Sequence, residues 1–420
     1  MFRSLSALLI AVLVAAPVAA QRAPRRPRLP SAADTNDATA YFQLGLERVE
    51  RDPGQADAAF YWAGRLDPMS PQTSYARHIA ALLRMDPNRL VRYLNRDPRV
   101  MDASDVRGMD SLRFRAEMQD PFVHRGMDEL LLYAFVKAAG RTDEWFGPAP
   151  TGTGRSGVAS GVAGTSGANS GLLAATEQFL ESADPYLRGL LYYSRGQIRN
   201  ALQYWGIALR DVNTRDAHIG WIYAERARAW AELRQLDSAQ TQMMEAIRLR
   251  QGPNDNSDLH AYQSAAAWRY ALGRILEDRR DTAAARAIYD HVVSWDPTYY
   301  PAHLRLAVID IQQRDTAAAL SRLRRAVDEP TVQFFGLASA ATVYSSIGRH
   351  AEAVAALQKA TTLEPFASAG WHLLGQSLAL TQDSAGAVAA YQKYLALAPR
   401  NDRLRPAAER ALASLTTPGP

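Results

Sequence analysis

The chain holds eight histidines, His78, His124, His218, His260, His291, His303, His350 and His372, and no two are spaced i,i+4 on one helix. A zinc helix needs two imidazoles one turn apart, and without a cysteine there is no thiolate alternative, so no metal is expected. Gly152-Thr-Gly154-Arg-Ser-Gly157 satisfies the string of a dinucleotide-binding loop. That loop works only between a strand and a helix N-terminus, whereas Pro148 and Pro150 precede this one and further glycines follow, so it is a chance match. The phosphate-cradling G-x-x-x-x-G-K-[ST], the G-x-S-x-G elbow, the H-E-x-x-H helix and the S-x-x-K pair are all missing from the sequence. Asp102, Asp105 and Asp110 form an acidic run near Asp97, but Arg99 and Arg107 interleave and neutralise it as a solvated surface. No cofactor and no catalytic residue are expected, and an enzyme would have only residues 69–146 in which to house a site.

The residue spacing points to elements of another kind. Ala285, Ala319, Ala353 and Ala387 stand 34 residues apart, each followed four positions later by Tyr289, Leu323, Leu357 or Tyr391. Leu272-Gly273, Leu306-Ala307, Ala340-Ala341 and Leu374-Gly375 repeat twelve to thirteen residues earlier, and Asp296-Pro297, Glu329-Pro330, Glu364-Pro365 and Ala398-Pro399 close the units. Two short helices cannot bury their own apolar faces, so such units must stack into a solenoid. Small residues let the paired helices approach, bulky ones fill the space between hairpins, and proline ends the second helix.

This pattern resembles the tetratricopeptide repeat, with Trp371-x2-Leu374-Gly375, Ala387, Tyr391 and Pro399 carrying the closest match and Tyr344, Gly348, Ala353, Leu357, Ala360 and Pro365 the unit before it. Looser units carry Gly189, Tyr192, Ala201, Trp205 and Ala208, then Tyr223, Ala227, Trp230, Ala239, Met243 and Ala246, with an inserted loop at 251–258. A lone unit at 38–68 has Tyr41, Leu44, Gly45, Ala56, Phe60, Ala63 and Leu66-Asp67-Pro68. The resemblance, covering somewhat more than half of the chain, implies an all-α, right-handed solenoid of helix-turn-helix repeats with a divergent helical N-terminal part. It also implies a concave groove lined by first helices, holding Tyr186, Leu190 and Tyr193, then Trp221 and Arg228, then Tyr270, Arg274 and Glu277, then Leu304, Ile311 and Gln312, and finally Phe335, His372 and Gln376. Aromatic and arginine side chains in such a groove suit an extended peptide or helix carrying apolar and acidic residues. The Lys and Asn pairing by which chaperone-tail-binding members clamp a terminal carboxylate is missing.

Composition sets the surroundings. Residues 1–20 carry Arg3, an apolar stretch from Leu5 to Val14 and small residues Val18-Ala19-Ala20, the layout of a cleavable secretory signal and too short to span a membrane. A periplasmic or secreted protein without a lipid anchor is expected. Residues 21–37, with Arg22, Arg25, Arg26 and Arg28 among prolines, are expected to be a disordered basic arm making at most weak contact with an anionic membrane surface. The net charge of +5, with 48 basic and 43 acidic residues, forms no nucleic-acid stripe, so no nucleic acid is expected as partner. Residues 38–146 are expected to be helical, with a helix start at Ser70-Pro71 followed by Tyr75, Ile79 and Leu82 to Leu83 at helical spacing, and further helices at Asn88 to Asn95, Ser104 to Gln119 and Pro121 to Ala139. Gly147 to Gly171 is almost wholly Gly, Ser, Thr, Ala, Pro and Val and is expected to be a flexible linker. The array then runs over 172–415, ending in a helix with Leu404, Ala408, Ala411, Leu412 and Leu415 on one face, before a tail at 416–420. The function this supports is a non-enzymatic protein-protein interaction scaffold; the alternative is an accessory subunit of a cell-envelope assembly or export machine.

Overall fold

The computed structural model describes residues 23–49, 51–84, 112, 115, 116, 118, 119, 185–211, 219–249 and 265–416. Among the described residues there are sixteen α-helices and no strand. The N-terminal part comprises α1 (Ala38–Arg48), α2 (Pro53–Leu66) and α3 (Pro71–Leu83). Six hairpins follow: α4 (Pro185–Ser194) with α5 (Ile198–Asp211), α6 (Ile219–Glu232) with α7 (Leu236–Leu249), α8 (Ala265–Asp278) with α9 (Thr282–Trp295), α10 (Tyr300–Gln312) with α11 (Thr316–Asp328), α12 (Phe334–Ser346) with α13 (His350–Leu363), and α14 (Ser368–Leu380) with α15 (Ser384–Leu397). A last helix, α16 (Arg405–Thr416), buries only Ala408, as an end cap with one apolar face should.

One turn chemistry recurs along the array. Each first helix stops on a residue of positive φ: Gly196, Arg234, Arg280, Arg314, Gly348 or Gln382. The next amide reaches back five positions, from Asp281 to the Leu276 carbonyl (2.9 Å), Asp315 to Asp310 (2.8 Å) and Asp383 to Leu378 (3.0 Å). This satisfies carbonyls that a helix end leaves orphaned. In these three hairpins the same aspartate then caps the second helix, its carboxylate accepting from the amides of Ala284, Ala318 and Gly386 at 2.9 to 3.0 Å. A single Asp thus ends one helix and starts the next.

The repeat glycines mark where backbone meets ring. A Cβ on Gly273 would come within 3.0 Å of the Tyr289 ring, and one on Gly189 within 3.0 Å of the Trp205 ring, closer than a non-bonded carbon can sit. The facing bulky residues Trp205, Tyr289 and Leu323 are almost wholly buried, and one apolar cluster runs continuously from α6 through α16. The first hairpin forms a neighbouring cluster that reaches Ile222 and Ala229 of α6.

The lone unit at 38–68 is the hairpin α1 and α2, and α3 starts at the expected Ser70-Pro71. The described residues 23–37 correct the expected solvated arm. Arg26 lies over the rings of Tyr41 (5.1 Å) and Trp62 (5.0 Å) and donates to the Tyr41 hydroxyl at 2.9 Å, while Trp62 donates to the Pro24 carbonyl at 2.9 Å. Two π faces and a phenol give this guanidinium a seat that an isolated basic run would lack. Residues 1–22, the linker 147–171, the inserted loop 251–258 and most of 88–146 lie outside the described residues. Within the last stretch Leu112, Arg115, Ala116, Met118 and Gln119 are helical, as expected for Ser104 to Gln119.

Candidate partner-binding groove

The expected groove residues all sit on first helices, but only some of them face outward. Tyr193 is buried, its ring against Trp205 at 5.6 Å and its hydroxyl donating to Glu232 at 2.6 Å. Tyr270 is buried between the rings of Tyr289 and Tyr299, each 5.6 Å away. Burial pushes the Tyr270 phenol up from its ordinary value. His372 is buried edge-on to Tyr391 (6.1 Å) and Tyr394 (5.0 Å), and burial pushes its imidazole down, towards the neutral form. Leu190 and Leu304 are buried as well. As surface anchors these five are corrected to packing residues, because their rings and alkyl chains fill the space between stacked helices.

The arginines are corrected in a second way. Arg228 is buried at 4% exposure and donates to Glu225 at 2.8 Å, an ion pair held inside α6 itself. Arg274 lies 3.9 Å from Glu277, which in turn takes a two-pronged bond from Arg305 of the next hairpin (2.7 and 2.9 Å) and the Tyr289 hydroxyl (2.8 Å). Glu277 is therefore a structural hub joining two hairpins, in the planar fork geometry that arginine favours. With its charge met inside α6, Arg228 is not available to an acidic partner segment, whereas Arg274 keeps 30% of its side chain exposed.

What remains on the first-helix face is mixed. Tyr186, Trp221, Ile311 and Phe335 are half-buried, Arg274 is partly exposed, and Gln312 and Gln376 are exposed. Trp221 packs on the array core through part of its ring. The strip is thus three aromatic faces flanked by amides, with the Arg274 guanidinium partly exposed beside them.

A second charged group was not anticipated from the sequence. Asp310 is fully buried and is bracketed by Arg286 (2.6 Å) from α9 and Arg322 (2.9 Å) from α11, with Asp290 bridging to Arg322 at 2.9 Å. It stands in the column that holds Tyr192, Trp230, Leu276, Tyr344 and Leu378 in the other hairpins. An acid in an otherwise apolar column was the available signal. Among the described residues no group of three or more His, Asp or Glu is arranged to hold a metal.

Tetratricopeptide-repeat family models match residues 276–331 and 337–366. No curated protein matches the chain. Among solved structures, MamA is similar at 19% identity over 43% of this chain and 93% of its own, with a TM-score of 0.34. Yeast Tom70 is similar at 16% identity over 91% of this chain and 89% of its own, with a TM-score of 0.43. PilW, a widely conserved type IV pilus biogenesis factor, is similar at 18% identity over 56% of this chain and 97% of its own, with a TM-score of 0.39. The matched repeats, the recurrent turns and the stacked hairpins together show that residues 276–366 carry tetratricopeptide repeats within an all-α stack of hairpins, an architecture that supports a protein-protein interaction scaffold.

Proposed function

We propose that the array holds a peptide or helical segment of a partner protein along its first-helix face, and that it does so outside the cytoplasm. The observation that carries the binding half is the strip of half-buried Trp221, Arg274 and Phe335 and exposed Gln312 and Gln376 on successive first helices, reachable while neighbouring aromatics are packed away. Flat aromatic faces flanked by amides supply contact area at low entropic cost. Tetratricopeptide-repeat proteins are generally non-enzymatic scaffolds that take protein or peptide partners, in keeping with this assignment. The export half rests on the residues of 1–20.

Two measurements test it. Envelope proteins retained by the wild-type chain should be lost from the Trp221→Ala/Arg274→Ala variant, the affinity for each falling by about 2 kcal/mol with helicity unchanged. Equal retention by the two proteins removes the groove from consideration. Intact-mass analysis of the exported protein should give a chain beginning within a few residues of Gln21, and a mature protein still carrying Met1 would end the export reading.

A further inference from the structure

The N-terminal hairpin touches the far end of the array. Arg65 of α2 lies 2.8 Å from Glu364, donates to the Leu363 carbonyl at 3.2 Å and sits 5.7 Å from the ring centre of Phe366. Trp62 meets Phe366 edge-on at 5.3 Å. One repeat further on, the Asn36 side chain donates to the Ala396 carbonyl at 3.1 Å, and the Arg400 amide donates to Asp34 at 2.7 Å. The two contact points are the consecutive proline turns around Pro365 and Pro399, so the hairpin grips the edge of the solenoid and does not stack on its end.

The seam is shallow. Tyr41, Leu46, Phe60, Tyr75, Ile79 and Leu82 form a nearly solvent-free cluster of their own within α1 to α3, and among the described residues the half-buried Phe366 is the array residue packed against it. Both members of the Arg65 and Glu364 pair keep about a quarter of their side-chain surface in water. Such a seam resembles a transient interface between domains, held closed mainly because both sides belong to one chain. The hairpin also connects to the apolar core of the array through Ala116 and Met118. Gln119 donates to the Pro68 carbonyl at 2.9 Å and Ala116 belongs to the α1 to α3 cluster, while Met118 is buried in the array cluster that contains Tyr270 and Tyr300.

We propose that residues 23–83 are a reversible clasp: they bind the two proline turns as an intramolecular ligand, and while bound they keep Met118 seated in the array's apolar cluster. Opening the clasp frees that seat for a partner's apolar side chain. The partner in question is a helical segment presenting a methionine or leucine one turn from a cation, as Met118 stands one turn from Arg115. This second half rests on the groove reading of the array; the clasp itself does not.

The absence of cysteine from the chain allows two unique spin labels, at Gln72→Cys and Gln358→Cys, both exposed. In the full-length protein a single narrow distance is expected. In Glu364→Arg/Phe366→Ala, where like charge faces Arg65 and Arg77, the distribution should broaden and lengthen, and Arg65→Glu added to Glu364→Arg should restore the narrow one. A narrow distance that survives Glu364→Arg/Phe366→Ala, or an array unfolding transition that falls along with opening, makes the hairpin a fixed part of the fold and overturns the clasp. A fluorescent peptide of residues 104–119 is the probe for the seat, and it should bind the opened variant about tenfold more tightly than the closed chain. Equal binding, with the distance change intact, overturns the groove half alone.

Discussion

The hairpin α1–α2 and the hairpin α8–α9 are built alike and placed differently. In both, a glycine of the first helix meets a ring of the second, Gly45 against Phe60 and Gly273 against Tyr289. In both, an aspartate caps the second helix, Asp52 accepting from Gln55 and Asp281 from Ala284. Yet α8–α9 belongs to a cluster continuous from α6 to α16, whereas α1–α2 closes its own cluster with α3 and meets the array at turns. The repeat chemistry therefore specifies a hairpin and leaves its neighbour to be chosen by the residues on its outer faces. In the array those faces are apolar and interdigitate. On α2 the outward residues are Trp62 and Arg65, which suit a turn rather than another helix.

The largest expected effect separates the two bodies by their cooperativity. A leucine at Gly273 must push the Tyr289 ring out of a site with no spare room, so Gly273→Leu should destabilise the array by about 3 kcal/mol. Gly45→Leu imposes the same collision on Phe60, but it should lower only an N-terminal transition and leave the array's in place. Calorimetry of the two variants checks this. If both substitutions move one shared transition, the N-terminal hairpin and the array are a single cooperative unit and the contrast between them fails.

A second contrast lies in depth of charge. Asp310 is fully buried and joins three helices through Arg286 and Arg322, while Glu364 is paired across a seam that water reaches. Removing a buried acid strands its partners, which here can still turn towards solvent, so Asp310→Asn should cost about 2 kcal/mol in urea unfolding. Arg65→Ala, at a seam pair about a quarter exposed, should change array stability by under about 1 kcal/mol. A cost at Arg65 equal to that at Asp310 would mean the seam is as tightly built as the array interior.

The repeat frame was legible because its determinants are local and periodic. Gly273 and Tyr289 belong to one hairpin, and their spacing recurs at Gly375 and Tyr391. The positive-φ turns were not read, since Arg280, Arg314 and Gln382 are not the glycines that usually advertise that conformation; the aspartate following each was the available sign. Groove residues were legible only as helix positions. Whether Tyr270 or His372 faces a partner or a neighbouring ring depends on what packs against it from other hairpins, and a repeat register carries no such information. The docking of Trp62 and Arg65 on residues 363–366 lay furthest out of reach, because it pairs segments some 300 positions apart with no common period.

The smallest effect expected is a pH dependence of that docking, and its sign depends on which of two opposing influences on Glu364 wins. Burial at the seam favours the neutral acid, while Arg65 of α2, Arg115 and Arg77 of α3 favour the carboxylate, Arg77 being itself held by Asp57 at 3.0 Å. Burial is the larger influence and raises the carboxyl from 4.5 to about 7. A carboxyl that holds its proton more tightly when docked contributes its stabilisation fully below the undocked value of 4.5, and that contribution is lost as the pH rises through about 7. Discounted for the water that reaches the pair, the closed form should gain about 1 kcal/mol on going from about pH 8 to pH 5, read as a rising closed fraction between the labels at positions 72 and 358. Glu364→Gln, with no charge to bury, should hold that fraction constant across the same range. If the closed fraction instead rises with pH and Glu364→Gln opens the seam, the three arginines outweigh burial, and the clasp is an ion-pair latch that acid releases.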